Sequence, residues 1–64
     1  MVIRIKEVRS AKGHTQSSLA RVSGVRRELI CRYENGKATP DISVLLRLRK
    51  ALNCSLDDLV SDAE

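Results

Sequence analysis

The sequence predicts an all-α fold in which five short helices form one compact domain. Apolar residues recur at helical spacing along most of the chain, and the alternation typical of strands is missing. Turn-forming residues divide the chain at regular intervals. A length of 64 residues leaves room for one domain only. We therefore expect a single domain over residues 1–64, ordered from about residue 2 to about residue 60 with a frayed tail.

The first two helices are delimited by a cap and two glycines. The first is expected from about Ile3 to Lys12, with Gly13 in the left-handed conformation that ends many helices. The second is expected to begin after Thr15, a favourable N-cap residue. It should end at Gly24, which can adopt a positive φ without steric cost and so allows a sharp turn.

The third and fourth helices have equally clear ends. The third is expected from about Arg26 to Glu34, followed by Asn35-Gly36. The fourth should begin after Asp41, its N-cap, and end where Asn53 takes a left-handed conformation.

The fifth helix is the shortest, and all five need a common core. Ser55 and Asp58 have the spacing of a capping box at its start. Helices this short are not stable alone and must be held by shared apolar contacts. The residues expected to form this core are Ile5, Val8, Leu19, Ala20, Val25, Ile30, Tyr33, Leu45, Leu48, Leu52, Leu56 and Leu59.

The charge balance indicates an anionic partner. Lys and Arg outnumber Asp and Glu by 12 to 8, which gives a net charge of +4. On so short a chain this favours nucleic acid first and a membrane surface second. The membrane alternative fits poorly, because no long apolar run exists and the basic residues do not line one long amphipathic face.

The residues that could carry metal or catalytic chemistry are few. Cys31 and Cys54 are widely spaced, and His14 adds no suitable ligand spacing, so a four-ligand zinc site is not expected. No nucleophile, base and orienting acid form a catalytic set. We expect no enzyme activity, no cofactor and no small-molecule ligand, and a cytosolic protein with reduced thiols rather than a disulfide.

The most informative segment is residues 15–36, where two short helices are joined by a tight turn at Gly24. The small side chain of Ala20 lets the two helices approach closely. Val25 and Ile30 would bury the second helix against the first. Its outward face, which has the size and polarity to enter a DNA major groove, then consists of Arg27, Glu28, Cys31 and Arg32.

In these features the chain resembles the phage-repressor helix-turn-helix family, the Cro- and lambda-repressor-like or XRE group. The resemblance covers nearly the whole chain. The matching residues are Thr15-Gln16, Leu19-Ala20, Gly24-Val25, Ile30, Arg32, Glu34-Asn35-Gly36-Lys37, Pro40, Ala51-Leu52 and Ser55-Leu56-Asp57-Asp58-Leu59. It implies a lambda-repressor-like domain that binds a roughly palindromic operator in double-stranded DNA, as a cytoplasmic, bacterial or phage-encoded regulator that most often represses.

The resemblance also implies roles for individual residues. Base reading is implied for Arg27, Glu28 and Arg32, and Cys31 shares their face. Phosphate contacts are implied for Gln16, Asn35 and Lys37, and a structural ion pair for Arg9 and Glu34. Arg26 stands where a Ser or Thr cap is common and is expected to contact phosphate. The alternatives are phosphate contact for the reading arginines and, for Glu28, an interaction with the helix macrodipole.

The sequence also bears on oligomeric state and on one alternative function. The resemblance favours a homodimer, and the expected surface is the C-terminal region with Leu56, Val60 and exposed parts of the fourth helix. The main alternative to DNA binding is an antitoxin-like or other protein-interaction module with the same fold.

Overall fold

Five helices and a pair of very short strands make up residues 2–61, the part of the chain that the computed structural model describes. The elements are, in chain order, β1 (Val2–Ile3), α1 (Ile5–Ala11), α2 (Gln16–Ser23), α3 (Arg27–Glu34), α4 (Ile42–Leu52), α5 (Leu56–Leu59) and β2 (Val60–Ser61). The fold is therefore the small, mostly helical one that the sequence predicts. Within residues 2–61, no helix is long and apolar enough to cross a membrane.

The strand pair corrects two expectations. Ile3 was expected in the first helix, but it belongs to β1 and pairs with Val60 in an antiparallel register, while Val2 pairs with Ser61. The backbone N–H of Arg4 then donates to the carbonyl of Leu59 at 2.7 Å. Because this pairing engages the first residues of the chain, α1 starts later than expected. Ser61 is paired rather than frayed, and the rest of the expected tail, residues 62–64, lies outside the described residues.

The expected helix ends are confirmed in their hydrogen bonds and dihedral angles. Thr15, Asp41 and Ser55 each accept, through a side-chain oxygen, the backbone N–H three residues later. Gly24 takes a φ of 74° and Asn53 a φ of 52°, both in the left-handed region. The side-chain caps satisfy backbone N–H groups at the helix starts, and the left-handed residues end the helices with backbone bonds to carbonyls of the last turn.

The core is aliphatic except for one tyrosine. Helix α2 packs against both α3 and α4, and α1 contacts α3 and α5. Among the expected core residues, Val8, Ala20 and Leu56 are only partly buried but pack against the others. The buried members are Ile5, Leu19, Val25, Ile30, Tyr33, Leu45, Leu48, Leu52 and Leu59.

Candidate nucleic-acid interface

The turn between α2 and α3 sets the angle at which α3 leaves the body of the protein. Helix α2 ends at Gly24, and the hydroxyl of Ser23 accepts the backbone N–H of Val25 at 3.2 Å. Val25 is buried beside Ile30, which anchors the start of α3 in the core. The motif therefore has the helix, glycine turn and helix arrangement expected from the sequence.

Helix α3 has one buried and one exposed face. Ile30 and Tyr33 point into the core. Arg27, Glu28 and Arg32 are exposed and Cys31 is half-buried. With Gln16 from the start of α2, these four side chains line one shallow, open depression of about 380 Å³. The structure thus brings the four base-reading candidates together and adds Gln16 to them.

The charged side chains that α3 contributes to this depression have no partner among the described residues. Within residues 2–61, the side chains of Arg27, Glu28 and Arg32 make no hydrogen bond or ion pair. Their donors and acceptors are therefore available to an external partner. Glu28 also lies in the first turn of α3, where its charge is favourable to the helix macrodipole.

Arg26 and Leu29 define the flank of α3. Arg26 occupies the N-cap position, where a guanidinium offers no acceptor to the backbone N–H groups, and its side chain is exposed. Leu29, which the sequence analysis did not select, is half-buried and lines a second shallow depression with Arg26, Glu28 and Arg32. Helical periodicity places Leu29 between the inward and outward faces of α3, and this could have identified it from the sequence.

The C-terminal end of α3 is held in one conformation. Gly36 has a φ of 72°, and the backbone N–H of Lys37 donates to the carbonyl of Arg32 at 2.8 Å. These features end the helix in a Schellman-type turn. The side chain of Lys37 is exposed beyond it. The amide of Asn35 donates from Nδ2 to Sγ of Cys31 at 3.3 Å, so this predicted phosphate contact already has a partner within the protein.

An ion pair joins α1 to α3. The Nε of Arg9 donates to Oε2 of Glu34 at 2.7 Å, and Nη2 donates to Oε1 at 3.1 Å. The remaining Nη1 donates to the backbone carbonyl of His14 at 2.9 Å. This is the pair expected from the sequence, with the two-point geometry that suits a guanidinium and a carboxylate.

The same carboxylate also receives a bond from α2. The Nε2 of Gln16 donates to Oε1 of Glu34 at 3.0 Å. Burial of Glu34 acts to raise its pKa, but the hydrogen bonds from Arg9 and Gln16 and the nearby positive charges outweigh this, so the pKa lies below its ordinary value. The hydrogen bond with Glu34 in turn raises the pKa of Arg9. The sequence analysis missed this link, because no local pattern places Gln16 beside Glu34.

The two cysteines and the histidine considered in the sequence are also placed by the structure. Cys31 and Cys54 are both free thiols, and burial, with the charge of Asp58, raises the pKa of Cys54. His14 is half-buried, and its Nδ1 lies 2.9 Å from Oγ of Ser18 in the cap of α2. Residues 2–61 contain no cluster of three or more His, Cys, Asp or Glu that could hold a metal ion.

Comparison with known protein families gives one match that covers most of the chain. Residues 5–59 match the family described as "Helix-turn-helix". That range contains every helix described above and all of the candidate interface.

Individual relatives and a solved structure agree with this match. An HTH-type transcriptional regulator of Archaeoglobus fulgidus is 39% identical over 59 residues, which cover 92% of this chain and 84% of the relative. The regulator YonR, derived from the SPbeta prophage of Bacillus subtilis, is also 39% identical, and the match covers 89% of this chain and 53% of YonR. The crystal structure of the restriction-modification controller protein C.AhdI from Aeromonas hydrophila superposes with a TM-score of 0.84 at 33% identity, covering 89% of this chain and 86% of that one.

Proposed function

We propose, from the premise that the chain belongs to the helix-turn-helix family of DNA-binding transcriptional regulators, that it represses transcription by occupying an operator. The observation that carries the proposal is the depression lined by Gln16, Arg27, Glu28, Cys31 and Arg32. Its arginines have no partner among the described residues, and the helix that bears them is anchored in the core. A rigid helix with free, outward side chains suits insertion into the major groove.

Base reading is assigned to the outward face of α3. Arg27 and Arg32 can each donate two hydrogen bonds to O6 and N7 of a guanine, a contact that contributes about 1–3 kcal/mol of discrimination. Glu28 can accept from N4 of a cytosine. Cys31 lies between them, with its sulfur held by Asn35, and is proposed to contact base edges by shape.

Phosphate contacts are assigned to the helix ends around that face. Gln16 and Arg26 lie at the starts of α2 and α3, where free backbone N–H groups already favour an anion. Asn35 is the C-cap of α3, and Lys37 follows two residues later; both are exposed. Such contacts set register and give a salt-dependent affinity, because phosphate neutralisation releases counterions. Action on operator DNA would place the protein in the cytoplasm.

A homodimer is proposed to read the two halves of a roughly palindromic operator. In the expected C-terminal surface, Leu56 and Val60 are half-buried against the core, whereas Ile42 and Leu46 on one face of α4 are 61% and 48% exposed. We therefore assign the centre of the contact to this face of α4, with the C-terminal residues beside it. A two-fold dimer would set two α3 helices about 34–36 Å apart, one turn of DNA.

Selection of bound sequences from a random duplex pool, at several fixed salt concentrations, tests the proposal. We expect a preferred motif with two related half-sites. A transcription assay with that motif placed over a promoter should then show lower transcript levels when the protein is added. Recovery of a random set of sequences would reject specific reading by α3, and higher transcript levels would reject repression.

A further inference from the structure

The carboxylate of Glu34 connects three helices at the edge of the candidate interface. It accepts two hydrogen bonds from Arg9 on α1 and one from Gln16 on α2, and its side chain is only 3% exposed. An ionised carboxylate can only accept hydrogen bonds, so the amide nitrogen of Gln16 must be the group that faces it. The orientation of the Gln16 amide is therefore decided by charge.

This contact uses one donor of Gln16 and leaves the other polar groups of its amide available. The side chain lines the same depression as Arg27 and Cys31. We propose that Glu34 is a positioning residue for DNA binding, which holds the Gln16 amide so that its second N–H is presented to a DNA phosphate. The inference rests on the proposed function and adds to it a residue that does not itself touch DNA.

The physical basis is preorganisation. A free glutamine side chain loses rotamer freedom when it binds phosphate, whereas one already held by Glu34 loses less. The held amide also cannot turn its oxygen toward the carboxylate, so its free N–H keeps one direction. The positive charge of Arg9 favours the ionised form of Glu34, the form that accepts the Gln16 amide. Without the carboxylate, Gln16 would bind phosphate no better than a mobile surface residue.

A double-mutant cycle of DNA affinity tests this positioning. The probe is the duplex that wild-type protein selects from the random pool, and affinity is measured by fluorescence anisotropy at fixed salt. We expect Gln16→Ala to weaken binding at least about tenfold in the wild-type background, as for loss of a hydrogen bond to a charged group. In the Glu34→Met background, where residue 34 has no oxygen to accept the Gln16 amide, the same change should weaken binding less than about twofold. Equal losses in both backgrounds would overturn the proposal, and so would no loss in either.

Arg9→Lys is the matched control for a purely structural role. It keeps the positive charge and the carboxylate of Glu34 but removes the two-point geometry, so it weakens the link from α1 while leaving the Gln16 contact. At a temperature where circular dichroism shows all variants folded, Arg9→Lys should bind DNA within about twofold of wild type, and Glu34→Met should bind as weakly as Gln16→Ala. Equal weakening by Arg9→Lys and Glu34→Met would show that Glu34 acts through helix packing alone. If wild-type protein selects no duplex, the proposed function itself fails; if it does and the cycle is additive, only the positioning role fails.

Discussion

The ion pair between Arg9 and Glu34 is buried unequally on its two sides. The Arg9 side chain is 13% exposed and that of Glu34 only 3%, although Nε and Oε2 lie 2.7 Å apart. The charge left unpaired is therefore more deeply buried when Arg9 is removed than when Glu34 is removed. Arg9→Met leaves an enclosed carboxylate and should lower the free energy of unfolding by about 3 kcal/mol. Glu34→Gln leaves a guanidinium that water can reach and should cost less, about 1–2 kcal/mol.

Urea denaturation followed by circular dichroism measures both changes. Lys12→Met is the control, because Lys12 is exposed and its ammonium makes one long bond, 3.5 Å from the carbonyl of Asn53. It should change stability by less than about 0.5 kcal/mol. A larger loss for Glu34→Gln than for Arg9→Met would contradict the assignment of the greater burial penalty to the carboxylate.

The lowered pKa of Glu34 gives stability a defined pH dependence. Since the pKa in the folded protein lies below the ordinary value of 4.5, the carboxylate stabilises the fold above that value and stops doing so as the pH falls through the folded pKa. The stability difference between wild type and Glu34→Gln should be constant from about pH 8 to about pH 5 and shrink below about pH 4.5. A difference that grows in acid would mean that the pKa is raised.

Reading and anchoring residues should differ in how their loss affects DNA binding. Arg27→Ala should relax preference at one base position and cost about 1–3 kcal/mol on the selected duplex. Lys37→Ala should weaken all sequences alike and reduce the salt slope by about one. Arg47→Ala is the control, an exposed arginine in a separate depression between α2 and α4. If the Arg27 and Lys37 variants showed identical specificity and salt profiles, the division into base-reading and phosphate-anchoring residues would be wrong.

The two thiols should respond differently to bound DNA. Cys31 lines the proposed interface, whereas Cys54 lies between α4 and α5. Bound operator duplex should slow alkylation of Cys31 by N-ethylmaleimide at least about tenfold and leave the rate at Cys54 unchanged. Single-cysteine variants, Cys54→Ala and Cys31→Ala, separate the two rates by mass spectrometry. Protection of Cys54 alone would place DNA on another face.

The exposed apolar residues of α4 should control dimerisation. Leu46→Asp places a charge in the proposed contact and should shift the protein toward monomer in analytical ultracentrifugation, with at least about tenfold weaker self-association. Ser17→Asp is the charge control, since Ser17 is exposed on α2 and lines a depression to which α4 contributes no residue. A wild-type protein that stays monomeric at high concentration and on operator DNA would exclude the dimer, and equal effects of the two variants would exclude this face.

Local chemistry explains which features the sequence could predict. The caps at Thr15, Asp41 and Ser55 depend on a side chain and an amide three residues away, so they can be recognised from the sequence. The face of α3 follows from helical periodicity in the same way. The bond between Gln16 and Glu34 depends on how α2 and α3 pack, which no short pattern encodes. A strand as short as β1 has too few residues for any alternation to appear.

The pairing of β1 with β2 closes the longest chain separation in the described structure. The register joins Ile3 to Val60, directly before α1 begins at Ile5 and directly after α5. Loop-closure entropy rises with the number of residues enclosed, so this pairing costs more chain entropy than any other contact in the described structure. Its opening would loosen the helix that carries Arg9, and through it the carboxylate beside Gln16. A chain of contacts thus runs from the paired strands through α1 to the carboxylate at the end of α3.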